Sequence, residues 1–134
     1  MATVICALAL ALMAQRGLAA EESDPRLSTS VSSVVTIANL KHSLRVVVET
    51  IGFEHLSSRV YCQWLVQDSD TASERLVSSV LIKEVGDFLS IGMPAVSRVG
   101  DSFRVVLHGT NNRTLKEKEI RLIAGPPGQY RIIE

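Results

Sequence analysis

The sequence predicts an all-β domain of about seven short strands, packed antiparallel as a two-sheet sandwich. Three observations predict it. The apolar residues are dominated by Val, Ile and Leu with only 4% aromatics, and β-branched side chains suit the pleated, half-buried surface of a sheet. Short segments with period-two alternation recur along the chain, each bounded by turn-forming residues at the spacing usual for sandwiches. The intervals between those turns leave no room for long helices.

Before the first strand, residues 4–14 (VICALALALMA) form an apolar run too short to span a bilayer but suited to the core of a signal peptide. Gly17 and Ala19 supply small residues ahead of a cleavage point after Ala19 or Ala20, although Met1-Ala2-Thr3 carries no basic side chain. The other reading of the run is a buried N-terminal helix. Residues 1–20 are therefore assigned as a signal peptide and the chain as periplasmic or secreted. Cys6 lies too early for a lipid-acceptor cysteine, and no later segment approaches a membrane span, so no membrane anchor is expected. Loss of the leader leaves Cys62 alone, which excludes an intramolecular disulfide, paired-thiolate metal ligation and dithiol redox chemistry.

Residues 21–33, polar and Ser-rich with Pro25, are expected to be flexible. Strands are expected over 31–38, 44–51, 59–67, 75–83, 88–91, 102–108 and 118–123, within a sandwich spanning 34–124. Successive strand side chains point to opposite faces. The second strand thus turns Leu44, Val46 and Val48 to one side. The third turns Val60, Cys62, Trp64 and Val66 inward and Tyr61, Gln63, Leu65 and Gln67 outward. The late strand over 102–108 buries Phe103, Val105 and Leu107. One-sided strands of this kind belong in antiparallel sheets with one wet face. The lone Trp pointing inward from the third of seven strands is the immunoglobulin-like pattern, here without the inter-sheet disulfide. Pro126 and Pro127 cannot donate ladder hydrogen bonds, so 125–134 is expected to be a C-terminal tail.

The chemistry-bearing residues do not assemble into a catalytic pattern. His42, His55 and His108 lack metal-ligand spacing. Asp68-Ser69-Asp70 opens like a calcium loop, but Ala72, Ser73 and Ser79 stand at the later ligand, Gly and Glu positions. The sequence carries no nucleophile elbow, phosphate loop or dinucleotide fingerprint, and Cys62 has the parity of an inert core thiol. Asn112-Arg113-Thr114 is a glycosylation sequon. Fourteen basic residues balance fourteen acidic ones, which argues against the cationic surface that nucleic acid requires. No enzyme activity, cofactor or metal is expected.

Parity instead points to a binding surface. If the third, sixth and seventh strands share a sheet, Tyr61, Leu65, Val106 and Ile123 meet Arg104 and Arg121 on its outer face. An apolar patch with cationic edges is a usual composition for a protein-binding site.

The strand spacing, the Cys within Val60-Tyr61-Cys62-Gln63 and the Gly100-Asp101-Ser102-Phe103-Arg104-Val105-Val106 strand followed by a polar turn together resemble the periplasmic curli accessory proteins. Those are immunoglobulin-like proteins that hold back premature amyloid assembly of curli subunits. Enterobacterial members carry a Cys-x-Cys pair where this chain has Val60 and Cys62, so a redox role does not carry over. The resemblance implies a partner that is an aggregation-prone exported polypeptide such as a curli subunit, bound without a cofactor. The competing expectation is a structural or adhesive sandwich of a cell-surface or pilus system.

Overall fold

A computed structural model describes residues 29–39, 41–52 and 55–134. The expected signal peptide and residues 21–28 lie outside them. The described chain forms β1 (Thr29–Ala38), β2 (Ser43–Ile51), β3 (Ser57–Gln67), β4 (Glu74–Leu81), a 3₁₀ turn at Lys83–Val85, β5 (Leu89–Ile91), β6 (Ala95–Val99), β7 (Ser102–Asn111), β8 (Glu117–Ala124) and β9 (Tyr130–Ile133). All pairings are antiparallel, in two sheets. The first is ordered β1-β2-β3-β4. The second is ordered β5-β7-β8-β9, with β6 also pairing β7. The expected all-β sandwich is the observed architecture.

Each sheet is a meander of consecutive strands, because short turns join antiparallel neighbours at little entropic cost. Asn39 closes the β1–β2 turn, its Oδ1 accepting the backbone N–H of Lys41 at 2.8 Å and of His42 at 2.9 Å. Gly100, at φ +60°, supplies the left-handed first position of the two-residue β6–β7 hairpin. β5 and β6 pair successive stretches of β7, Ile91 opposite Gly109 and Ala95 opposite Val106. They are one edge interrupted at Gly92-Met93-Pro94. Gly109 lets the strands approach closely, since a Cβ there would lie 2.6 Å from Ile91 Cδ1 and 3.0 Å from Ser90 O and would have to displace both.

Three expectations about boundaries are corrected. β1 begins at Thr29, so residues 29–33 are strand and not a flexible segment. The expected break over 92–101 contains β6. The expected tail contains β9, because Gly125-Pro126-Pro127-Gly128 ends β8 by reversing the chain. Gly125 N donates to Gln129 O at 2.9 Å and Gln129 N to Pro126 O at 3.0 Å, with Gly128 at φ +82°. Two prolines thus stop one strand and start its neighbour. The Tyr130 hydroxyl ties β9 to the rest, donating to Glu84 Oε2 at 2.8 Å and accepting from Lys83 N at 3.4 Å.

The core lies between the sheets and contains the inward residues expected of the second, third and sixth strands except Val66, which lies past the β3–β4 register shift and is only half-buried. Leu44, Val46, Val48, Val60, Cys62 and Trp64 of the first sheet meet Phe103, Val105, Leu107, Ile120, Leu122 and Ala124 of the second. The fully buried Trp64 indole needs a partner for its N–H. Nε1 donates to Gly125 O at 3.1 Å, linking β3 to the end of β8. His42 packs its ring edge-to-face on Phe103 at 5.4 Å.

Candidate protein-binding face

The outer face of the second sheet is set by register. In one cross-strand row lie Ser97, Arg104, Ile123 and Arg131, and in the next Ala95, Val106, Arg121 and Ile133. Each row crosses β6, β7, β8 and β9 in turn. Over the last three strands, cations and aliphatics therefore alternate along each row and between rows, giving a checkerboard of three Arg and three aliphatic side chains. Arg104, Arg121 and Arg131 are exposed, while Val106, Ile123 and Ile133 are half-buried. Neighbouring strands are ~4.8 Å apart, so Arg104 and Arg131 stand about 10 Å apart with Arg121 on the diagonal between them.

Charge divides the face along its length. Beyond the two rows, His108 stands opposite Glu119 and Thr110 opposite Glu117. Arg121 donates from Nε to Glu119, whose other oxygen lies 3.3 Å from His108 Nδ1. No ion pair among the described residues engages Arg104 or Arg131. Their guanidiniums keep their charge for a visitor, whereas that of Arg121 is partly answered by Glu119.

Of the six expected site residues, four come together here: Arg104, Val106, Arg121 and Ile123. Tyr61 and Leu65 do not. Both belong to β3 in the first sheet, because the late strands share a sheet with one another and not with β3. Leu65 is only 3% exposed, beside a register shift that leaves an extra β4 residue between the partners of Trp64 and Leu65. Tyr61 is half-buried between Val47 and Leu81. Arg131 and Ile133 are site residues that sequence reasoning missed. Their signal was the strand-forming run Tyr130-Arg131-Ile132-Ile133 directly after a Pro-Pro-Gly turn.

The other chemically suggestive residues have structural uses. Cys62 is fully buried, and burial pushes its thiol up to about 12, which disfavours the thiolate a nucleophile needs. Asp68 Oδ1 accepts the Asp70 N–H at 2.9 Å, an Asx turn within the β3–β4 hairpin. Asn112 of the sequon is held between loops, its N–H donating to Phe88 O at 2.8 Å and its side-chain amide to Leu56 O. Among the described residues no group of three His, Cys, Asp or Glu is placed to hold a metal, and no helix is long and apolar enough to cross a membrane. Comparison with known protein families, curated proteins and solved structures finds no match to this chain.

Proposed function

We propose that this chain is an exported, non-catalytic binding protein that holds an aggregation-prone polypeptide on the outer face of its second sheet, in the manner of a curli assembly factor. The observation that carries the reading is the checkerboard of Arg104, Arg121 and Arg131 with Val106, Ile123 and Ile133. An amyloidogenic segment exposes aliphatic side chains and unpaired backbone groups that template further strands. The aliphatic squares offer such a segment apolar contact. The cationic squares steer acidic stretches and give a charge-dependent on-rate, which suffices for transient holding.

The test is the lag time of curli-subunit fibrillation with substoichiometric amounts of this protein. A longer lag is expected, and raised salt shortens it toward the control because exposed charges are screened. The double variant Arg104→Glu and Arg131→Glu reverses the two unanswered cations without touching the core. It should lose most of the inhibition while its melting temperature stays near wild type. A lag unaffected by wild-type protein up to equimolar ratio would remove this reading and leave a structural or adhesive sandwich.

A further inference from the structure

The outer face of the second sheet continues past the checkerboard, and over its whole length β7 and β8 carry four rows of outward side chains. In order along the strands these are Arg104 with Ile123, Val106 with Arg121, His108 with Glu119, and Thr110 with Glu117. Rows on one face lie ~6.7 Å apart, so the four span about 20 Å. Arginines occupy the first two rows and carboxylates the last two. Glu117 is exposed, and no ion pair among the described residues engages it. Unanswered charge of opposite sign thus stands at the two ends of one face.

The opposite charges are also placed symmetrically about the middle of the face. A two-fold axis lying across the strands, between the second and third rows, turns this face onto that of a second copy with each strand over its own counterpart. The first row then meets the fourth, and the second meets the third. Glu117 of the copy falls over Ile123, between Arg104 and Arg131, the two cations of this face that no ion pair among the described residues engages. Glu119 of the copy falls over Arg121. An axis along the strands would instead set the cationic rows over one another, so charge selects the first arrangement. β5 and β6 put only small residues beside these rows, with Ser97 next to Arg104, Ala95 next to Val106, Gly92 next to His108 and Ser90 next to Thr110. No bulky side chain on that flank holds two copies apart. The carboxylate half is also hollowed, by about 640 Å³, and the rotation brings the arginines of the copy over that hollow.

We propose that two copies of this chain pair through the outer faces of their second sheets about this two-fold axis, with Glu117 of each set between Arg104 and Arg131 of the other. Such an isologous contact forms every charge pair twice. Packed sheets stand ~10 Å apart, a gap that an arginine and a glutamate extended toward each other can close. A patch of this size is at the weak end of specific interfaces, so monomer and dimer exchange with concentration. The pairing does not rest on the function proposed above. Where both hold, the dimer covers the checkerboard, and an aggregation-prone polypeptide has to displace the second copy.

The experiment is sedimentation velocity of the isolated protein over a concentration series, beside two variants, Glu117→Arg and the double change Arg104→Glu with Arg131→Glu. The wild type should dimerise, and raised salt should weaken the dimer. Each variant alone sets like charges across the axis and should dimerise at least about tenfold more weakly. An equimolar mixture of the two variants should regain the dimer, because one chain is then acidic and the other cationic at both ends of the face. A wild type that stays monomeric up to its solubility limit would overturn the proposal. So would a dimer indifferent to either variant, or a mixture no more dimeric than its components. A failed fibrillation assay beside a restored mixed dimer counts against the holding function alone, and a lengthened lag from a protein that never dimerises counts against the pairing alone.

Discussion

The outer faces of the two sheets are opposite in character. On the second, alternation is regular: every inward residue from Phe103 to Leu107 and from Ile120 to Ala124 is buried, and the residues between them are exposed or half-buried. On the first it fails. Gln63 and Leu65 of β3 are 6% and 3% exposed though they face away from Cys62 and Trp64, and Glu49 of β2 is 7% exposed. A row of Val34, Val47, Tyr61 and Leu81 crosses that face. Period-two patterning reports which face is wet only where a strand has one wet face, so it locates the face of β7 and β8 and misplaces Leu65.

The largest test of this contrast is Trp64→Ala, which removes a fully buried indole and its hydrogen bond to Gly125 O, the link between β3 and the β8–β9 turn. A loss of roughly 3–5 kcal/mol is expected in denaturant melts, with Cys62→Ser costing less. A loss within about 0.5 kcal/mol would place Trp64 at the surface.

A sharper comparison sets Leu65→Ala against Val106→Ala. Both positions have outward parity, but Leu65 is buried and Val106 half-buried. Leu65→Ala should cost about 2 kcal/mol or more and Val106→Ala less than about 1 kcal/mol. Equal small losses would restore the simple alternation to the first sheet.

The smallest effect is in pH dependence. Burial, reinforced by Lys41 and opposed by Asp101, holds the His42 imidazole below its ordinary value of 6.5. The unfolded chain therefore binds this proton at higher pH than the folded one. Stability should fall as pH drops below about 6.5, and the loss should end once folded His42 itself protonates. His42→Gln should flatten the slope between about pH 7 and 5 in thermal melts. An unchanged slope would assign that dependence to other groups.

Much of the candidate face was legible because β7 and β8 are joined by one turn and each has one wet side. Parity then puts Arg104 and Val106 beside Ile123 and Arg121 once the two strands pair. Tyr61 was misassigned because parity says which face a residue takes and nothing about which sheet its strand joins. Arg131 and Ile133 were missed because two prolines read equally well as the end of the ordered chain or as a turn into another strand.

The sequence by itself therefore determined the strand character of the chain, the turns at Asn39 and Asn111, and the inward set centred on Trp64 and Phe103. These are local properties of backbone preference and alternation. Tertiary structure alone decided that the strands divide into two sheets, that β9 returns to complete the cationic checkerboard, and that β3 joins a different sheet from the late strands. Those outcomes depend on contacts between residues distant in the chain, such as Trp64 with Gly125 and Tyr130 with Glu84, and no local pattern encodes which distant partner a strand will meet.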